Sequence, residues 1–249
     1  MTYCVGLLVK AGLVMISDTR TNAGIDNISI YKKLHTLVDD EERQVFVASA
    51  GSLSVTQSML SMLREGLPCL DDSGVPRRVE TQHTMFRVAQ LVGEALSTAR
   101  RAIGHTLEGT QINSGASILL GGRLGDGPLA LYLVYAEGNF IECMPDAPFM
   151  QIGELKYGKP ILDRALNWDS PLDEAMKVAL MSFDSTMRSN LSVGLPFDLV
   201  AIPNEPYGKI VRLRIEVDDP YFAMLSAEWG RLLNESRAVI PDPPFLHTD

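Results

Sequence analysis

MTYCVGLLVKAGLVMISDTR, residues 1–20, holds two apolar runs of strand length separated by the turn-forming KAG. That pattern predicts an antiparallel hairpin turning at residues 10–12. Such a hairpin brings Asp18, at the end of the second run, back beside Thr2 at the start of the first. On loss of Met1, Thr2 becomes the terminal residue and carries a hydroxyl and an α-amine on adjacent atoms. The amine titrates at roughly 7.7–8.0, so near neutral pH part of it is unprotonated and able to accept the hydroxyl proton. A threonine behind the initiator methionine is common and by itself carries no chemistry. The residues around it have to decide.

Outward from this hairpin, YKKLHTLVD and RQVFVASAG continue the β pattern to residue 50, separated by AGIDN and DDEE. The pattern then changes. SLSVTQSMLSMLREGL spaces Val55, Met59, Met62 and Leu63 at helical intervals and ends near Gly66. Past the loop PCLDDSGVPRR, an apolar stripe of Phe86, Ala89, Leu91, Val92, Ala95 and Leu96 predicts a long helix over residues 80–103. Strands return in SGASILLGGRL, GPLALYLVYAEG, NFIECM and FMQIG, joined by Gly-rich turns. Helices follow over 157–166 and 171–188, the second with Ser170 as N-cap ahead of Pro171. FDLVAIP and KIVRLRIEV close the β pattern, and a helix over 220–237 precedes the proline-rich tail VIPDPPFLHTD, from about residue 239. Antiparallel strand groups alternating with helix pairs, and no linker, predict one domain over 1–249. Its class is α+β, a four-layer α/β/β/α sandwich in which two antiparallel sheets pack together under outer helices.

Composition narrows the function. A net charge of −9 without a long Lys/Arg run speaks against nucleic acid and anionic membrane as partners. No apolar run is long enough to span a bilayer, and residues 1–12 lack the basic leader of a signal peptide, so the expectation is a cytoplasmic chain that starts at Met1. Three scattered cysteines, Cys4, Cys69 and Cys143, fit a reducing compartment. Four dispersed histidines, His35, His83, His105 and His247, give no metal-ligand spacing, and no metal or cofactor is expected. GGRLGDG lacks the lysine of a phosphate-binding loop and leads into a strand, which makes it a hairpin turn.

Charged residues cluster around the hairpin's open end. Asp18 and Arg20 close the second run, and Lys32 and Lys33 precede Leu34 on the third, where period-2 alternation lets only one lysine face inward. A buried lysine paired with Asp18 would keep its charge and ease ionisation of the Thr2 hydroxyl. The same four residues also fit ordinary surface charges at strand ends. ASAGS, residues 48–52, sets Gly51 between a strand and a helix, where a backbone N–H can face a cleft and stabilise an oxyanion, or where the glycine simply makes a turn.

Thr2, S-D-T-R after the second run, K-L on the third and S-A-G-S before the first helix together resemble the proteasome β-subunit type of N-terminal nucleophile hydrolase. SDTRTNAGIDNI, YKKLHT, IGELKYGKPILDRAL and SFDSTMRSNLSVGLPFDL are similar, more narrowly, to its bacterial Anbu (ancestral β-subunit) branch, along nearly the whole chain. The resemblance implies the same α/β/β/α sandwich and a threonine peptidase acting on peptide or protein. Thr2 would be the nucleophile and its amine the general base. Lys33 would be the cation that lowers the hydroxyl pKa, Asp18 its anchor and Gly51 the oxyanion donor. Ser192 matches a serine that orients the amine. Ser189 departs from the aspartate that family members usually carry there, Glu154 replaces a supporting serine, and Arg20 belongs to the S-D-T-R motif. The resemblance also implies self-association into a ring-like or open helical homo-oligomer, and leaves open an ATP-dependent unfoldase as partner. Two alternatives stand beside it: an amidohydrolase for small peptide conjugates, since fold does not fix function, and a weakly active oligomeric scaffold. By analogy Ala23, Gly24 and residues 51–54 line the cleft, and the apolar tail either docks on a neighbouring subunit or is a loose terminus.

Overall fold

The structure is a computed structural model, and it describes residues 2–22, 28–70, 74–106, 114–205 and 208–246. Met1, Ala23, Gly24 and His247 lie outside the described residues. The chain opens with β1 (Tyr3–Val9) and β2 (Gly12–Asp18), paired antiparallel from Cys4↔Ser17 to Val9↔Gly12 across the turn at Lys10 and Ala11. This is the expected hairpin. β3 (Arg20–Asn22) and β4 (Ile28–Ile30) form a small sheet of their own, so the second run does not continue unbroken through SDTRT. β5 (Leu34–Asp39) and β6 (Arg43–Gly51) follow, then α1 (Leu53–Glu65) and α2 (Met85–Thr106). Next come β7 (Ala116–Leu124), β8 (Ala130–Val134), β9 (Phe140–Glu142) and β10 (Phe149–Gly153), and then α3 (Lys159–Ala165) and α4 (Leu172–Ser189). β11 (Phe197–Pro203), β12 (Val211–Ile215) and α5 (Pro220–Val239) follow, and a 3-10 turn at Pro244–Leu246 ends the order.

One five-stranded sheet runs β10-β1-β2-β11-β12 and the other β5-β6-β7-β8-β9, with antiparallel neighbours throughout. The all-buried pattern of β1 and β2 has a simple cause. Alternate residues serve two different cores. Cys4, Leu8, Leu13 and Met15 meet Phe46, Ala48, Leu119 and Leu131 between the sheets. Tyr3, Val5, Val14 and Ile16 pack outward under α3, α4 and α5. The outer face of the other sheet, with Val45, Val47, Ile118 and Leu120, is covered by Met59 of α1 and Val92 of α2. The layers are therefore α/β/β/α, as expected. Phe183 of α4 ties them at the chain's start, its ring 4.5 Å from Tyr3 and 4.6 Å from Phe197. Full burial of such a side chain contributes roughly 1.5–3 kcal/mol.

Two local expectations are corrected. Ser170 is not a helix cap: its hydroxyl accepts the Asn167 N–H at 3.1 Å, and Pro171 holds the cap position of α4 without a side-chain bond. The helix expected over 80–103 begins only at Met85, after a separate 3-10 turn at Val79–Thr81. That turn is closed by Thr81, whose hydroxyl donates to Arg78 O at 2.9 Å, and helical periodicity alone does not register it.

Candidate active site

The site is built where β1, β2, β3 and β5 meet at one end of the sandwich. Asp18 ends β2 and is fully buried, and its Oδ1 accepts the Tyr3 N–H at 3.0 Å and Lys33 Nζ at 2.8 Å. Lys33, 5 % exposed, also donates to Arg20 O at 2.6 Å. One lysine therefore joins the first sheet, the small hairpin and the segment leading into β5. Lys33 sits just before β5 and not within it, which is why strand alternation could not choose between the two lysines. Lys32 is exposed. Arg20 reaches the other way, its Nη1 donating to Leu191 O at 3.0 Å in the loop after α4.

Thr2 is half-buried directly ahead of β1, one residue from the amide held by Asp18. Its carbonyl accepts the Glu154 N–H at 2.7 Å. Gly153, at φ 84°, allows this approach, since a Cβ there would lie 2.0 Å from Thr2 O. The peptide between Thr2 and Tyr3 is thus held at both ends, its carbonyl by Glu154 N–H and its N–H by Asp18. Gly51, the last residue of β6, has φ 103°, and a Cβ on it would meet Gly115 O at 2.3 Å. The adjacent Ser52 N–H takes Gly115 O at 2.9 Å. Antiparallel alternation then turns the Gly51 N–H away from β7, on the exposed rim of the sheet.

Burial pushes the Asp18 carboxyl up to about 6, against the charge and hydrogen bond of Lys33 and the bond from Tyr3 N–H. Among the described residues its Oδ2 has no hydrogen-bond partner, in keeping with that cost. Unfolded, Asp18 titrates near its ordinary 3.8, so between 3.8 and about 6 the folded chain binds the extra proton. Its contribution to stability is complete below 3.8 and is lost as pH rises through 6. Across about two pKa units this amounts to roughly 2–3 kcal/mol. We expect the stability difference between the parent protein and Asp18→Asn to change by that amount from about pH 3.5 to 7, measured by urea unfolding, with the parent losing relative stability as pH rises. A difference that does not depend on pH would contradict this. Above pH 6 the carboxylate is ionised and holds Lys33 in place.

At the end of α4, Ser189 is the helix's last residue and is exposed, while Ser192 in the loop beyond it is half-buried. The residue brought in is Asn190, 8 % exposed. Its Nδ2 donates to Glu154 Oε2 at 2.9 Å and its Oδ1 accepts the Ser192 N–H at 3.0 Å. Glu154 is itself buried, with Oε1 accepting the Lys156 N–H at 3.0 Å. Glu154, Asn190 and Ser192 therefore form one chain of polar contacts that begins at the residue bonded to Thr2 O. Asn190 was the residue the sequence reading missed. Its signal was an amide one position beyond Ser189 in RSNLSVG.

No family model and no curated protein matches the chain. Solved structures do. Anbu (ancestral beta-subunit) from Yersinia bercovieri is 42% identical with a TM-score of 0.86, over 97% of this chain and 99% of that one. An Anbu (Gly-1) mutant from Hyphomicrobium sp. strain MC1 is 42% identical with a TM-score of 0.87, over 98% and 99%. The structure described as the helical assembly of the Anbu complex from Pseudomonas aeruginosa is 39% identical with a TM-score of 0.88, over 99% and 100%.

Proposed function

The chain belongs to the Anbu family of proteasome-like proteins, and from that premise we propose that it hydrolyses peptide amide bonds through Thr2 after removal of Met1. The observation that carries this reading is the buried Lys33–Asp18 pair bonded to Tyr3 N–H, immediately behind Thr2. A cation held there lowers the cost of ionising a neighbouring hydroxyl. The freed α-amine of Thr2 takes the hydroxyl proton, and the oxygen attacks the substrate carbonyl carbon. The oxyanion that forms is stabilised by the Gly51 N–H. The amine then returns the proton to the leaving nitrogen as the C–N bond breaks, which leaves an ester on Thr2. A water molecule gives a proton to the same amine and attacks the ester carbonyl; the C–O bond to Thr2 then breaks as the amine passes the proton to the Thr2 oxygen, which releases the acid and restores the hydroxyl. In this reading Glu154 and Asn190, with Ser192, orient the amine.

We extend self-association to this chain as well, on the strength of the Pseudomonas aeruginosa relative's helical assembly. A bacterial cytoplasmic setting is in keeping with the bacterial sources of the relatives and with three free cysteines, Cys4, Cys69 and Cys143, which suit a reducing compartment. No helix of the described residues is long and apolar enough to cross a membrane. The test is turnover of unfolded protein and of fluorogenic peptides, set against small amides. The expected result is cleavage within peptides at least a few residues long. Cleavage of small amide conjugates alone would replace the peptidase with an amidohydrolase.

A further inference from the structure

α5 is rooted only at its start. Phe222 and Leu225 enter the core under the helix layer, but every residue from Arg231 to Phe245 is exposed. The exposed side chains include Leu233 at 49%, Val239 at 82%, Ile240 at 67% and Phe245 at 79%. A helix end that stands free in water gains little from packing and is marginal by itself. Large apolar groups concentrated on such an end signal a partner surface.

An apolar groove lies elsewhere on the same chain. It is a cavity of about 400 Å³ between the edge strands β9 and β10, lined by Ile141, Met144, Ala147, Phe149, Met150 and Leu155. Ile141, Met144 and Leu155 are about half exposed, at 48%, 59% and 50%. The volume lies at the small end of the roughly 300–1,000 Å³ typical of binding pockets, and suits one or two anchoring side chains. The chain's own tail is exposed and does not fill it.

We propose that the exposed end of α5 and residues 240–246 of one copy dock into the β9–β10 groove of the next copy, with Ile240 and Phe245 as anchors. This rests on the self-association proposed above and names its contact. Three observations commit the groove to a second copy. First, the tail follows α5 whereas the groove is built from β9, β10 and the residues beside them, so tail and groove are two unlike patches made of different residues, and the exposed tail leaves its own groove unfilled. A contact between unlike patches is heterologous, and repeated it builds rings or open helical stacks. Second, the chain carries a net charge of −9, so copies repel except through near-neutral surfaces. Asp242 is the only charge in residues 239–246, and the groove's lining carries one charge of each sign, Glu142 and Lys159. Third, prolines 241, 243 and 244 remove backbone donors, so the tail binds by side-chain anchors and not as an added strand.

The experiment is sedimentation of the full-length protein, of a tail variant carrying Ile240→Asp with Phe245→Asp, and of a groove variant carrying Ile141→Asp with Met144→Asp. All four positions are exposed, so the fold should survive, which circular dichroism checks. Each variant alone is expected to raise the concentration at which half the chains assemble by at least about tenfold, equal to 1.4 kcal/mol. Mixed together they should pair, because one retains a tail and the other a groove. The complex should have twice the mass of the smallest unit and grow no further. Assembly of either variant like the parent, or a mixture that does not pair, overturns the proposal while self-association stands. A parent protein that stays a single 27.3 kDa chain overturns both.

Discussion

Lys33→Met is expected to abolish turnover and to destabilise the protein by about 3–5 kcal/mol, the usual cost of removing one partner of a buried ion pair. Asp18 is fully buried and bonded to Lys33 at 2.8 Å. Burial already lifts its carboxyl to about 6 with the lysine present. Without that cation the carboxyl shifts further up and becomes protonated at neutral pH, which limits the loss. The lysine's bond to Arg20 O goes too, so the β3–β4 hairpin loosens from the site. Adding Asp18→Asn to Lys33→Met removes the orphaned acid and should recover most of the stability, since a buried pair replaced at both ends is often neutral. It should recover none of the activity. Urea unfolding of the single and double variants, with turnover measured in parallel, separates the two roles. A Lys33→Met enzyme with parental turnover would remove the lysine from the mechanism.

Thr2→Ala is expected to lower turnover by at least about 10³-fold, roughly 4 kcal/mol of barrier, because the attacking oxygen is gone. Stability should change little. Thr2 is half-buried, and its structural bond to Glu154 N–H uses the backbone carbonyl, which alanine keeps. The side chain leaves no deep core. Thermal melting and sedimentation should match the parent within about 1 kcal/mol, as for substitutions outside the core. Thr2→Ser keeps the oxygen and should retain part of the activity. If Thr2→Ala retained the protein's biological effect in cells, the scaffold reading would stand and the catalytic one would fall.

The hairpin from Tyr3 to Asp18 was legible because its turn separates two uninterrupted apolar runs, and its register does bring Asp18 to Tyr3 N–H. The sandwich was legible for a related reason: strands this apolar on both faces require cover on both. Less of the site could be read. Choosing Lys33 over Lys32 required knowing that the chain is not yet a strand at that point, so alternation does not apply. Asn190 was missed because α4 ends at Ser189 and the chain then turns, which carries the next side chain inward to Glu154. The β3–β4 hairpin was hidden because Arg20 to Asn22 carries no apolar run. Helix α5 was legible in extent but not in its lack of cover, since its sequence is as apolar as that of a packed helix.

The central claim is a free, activated Thr2, and the most direct measurement is the intact mass of the purified protein before and after treatment with an epoxyketone peptide, which reacts selectively with N-terminal threonine. The expected result is loss of Met1 and a single adduct that peptide mapping assigns to Thr2. A protein that keeps Met1, or a free Thr2 that never reacts, would contradict it.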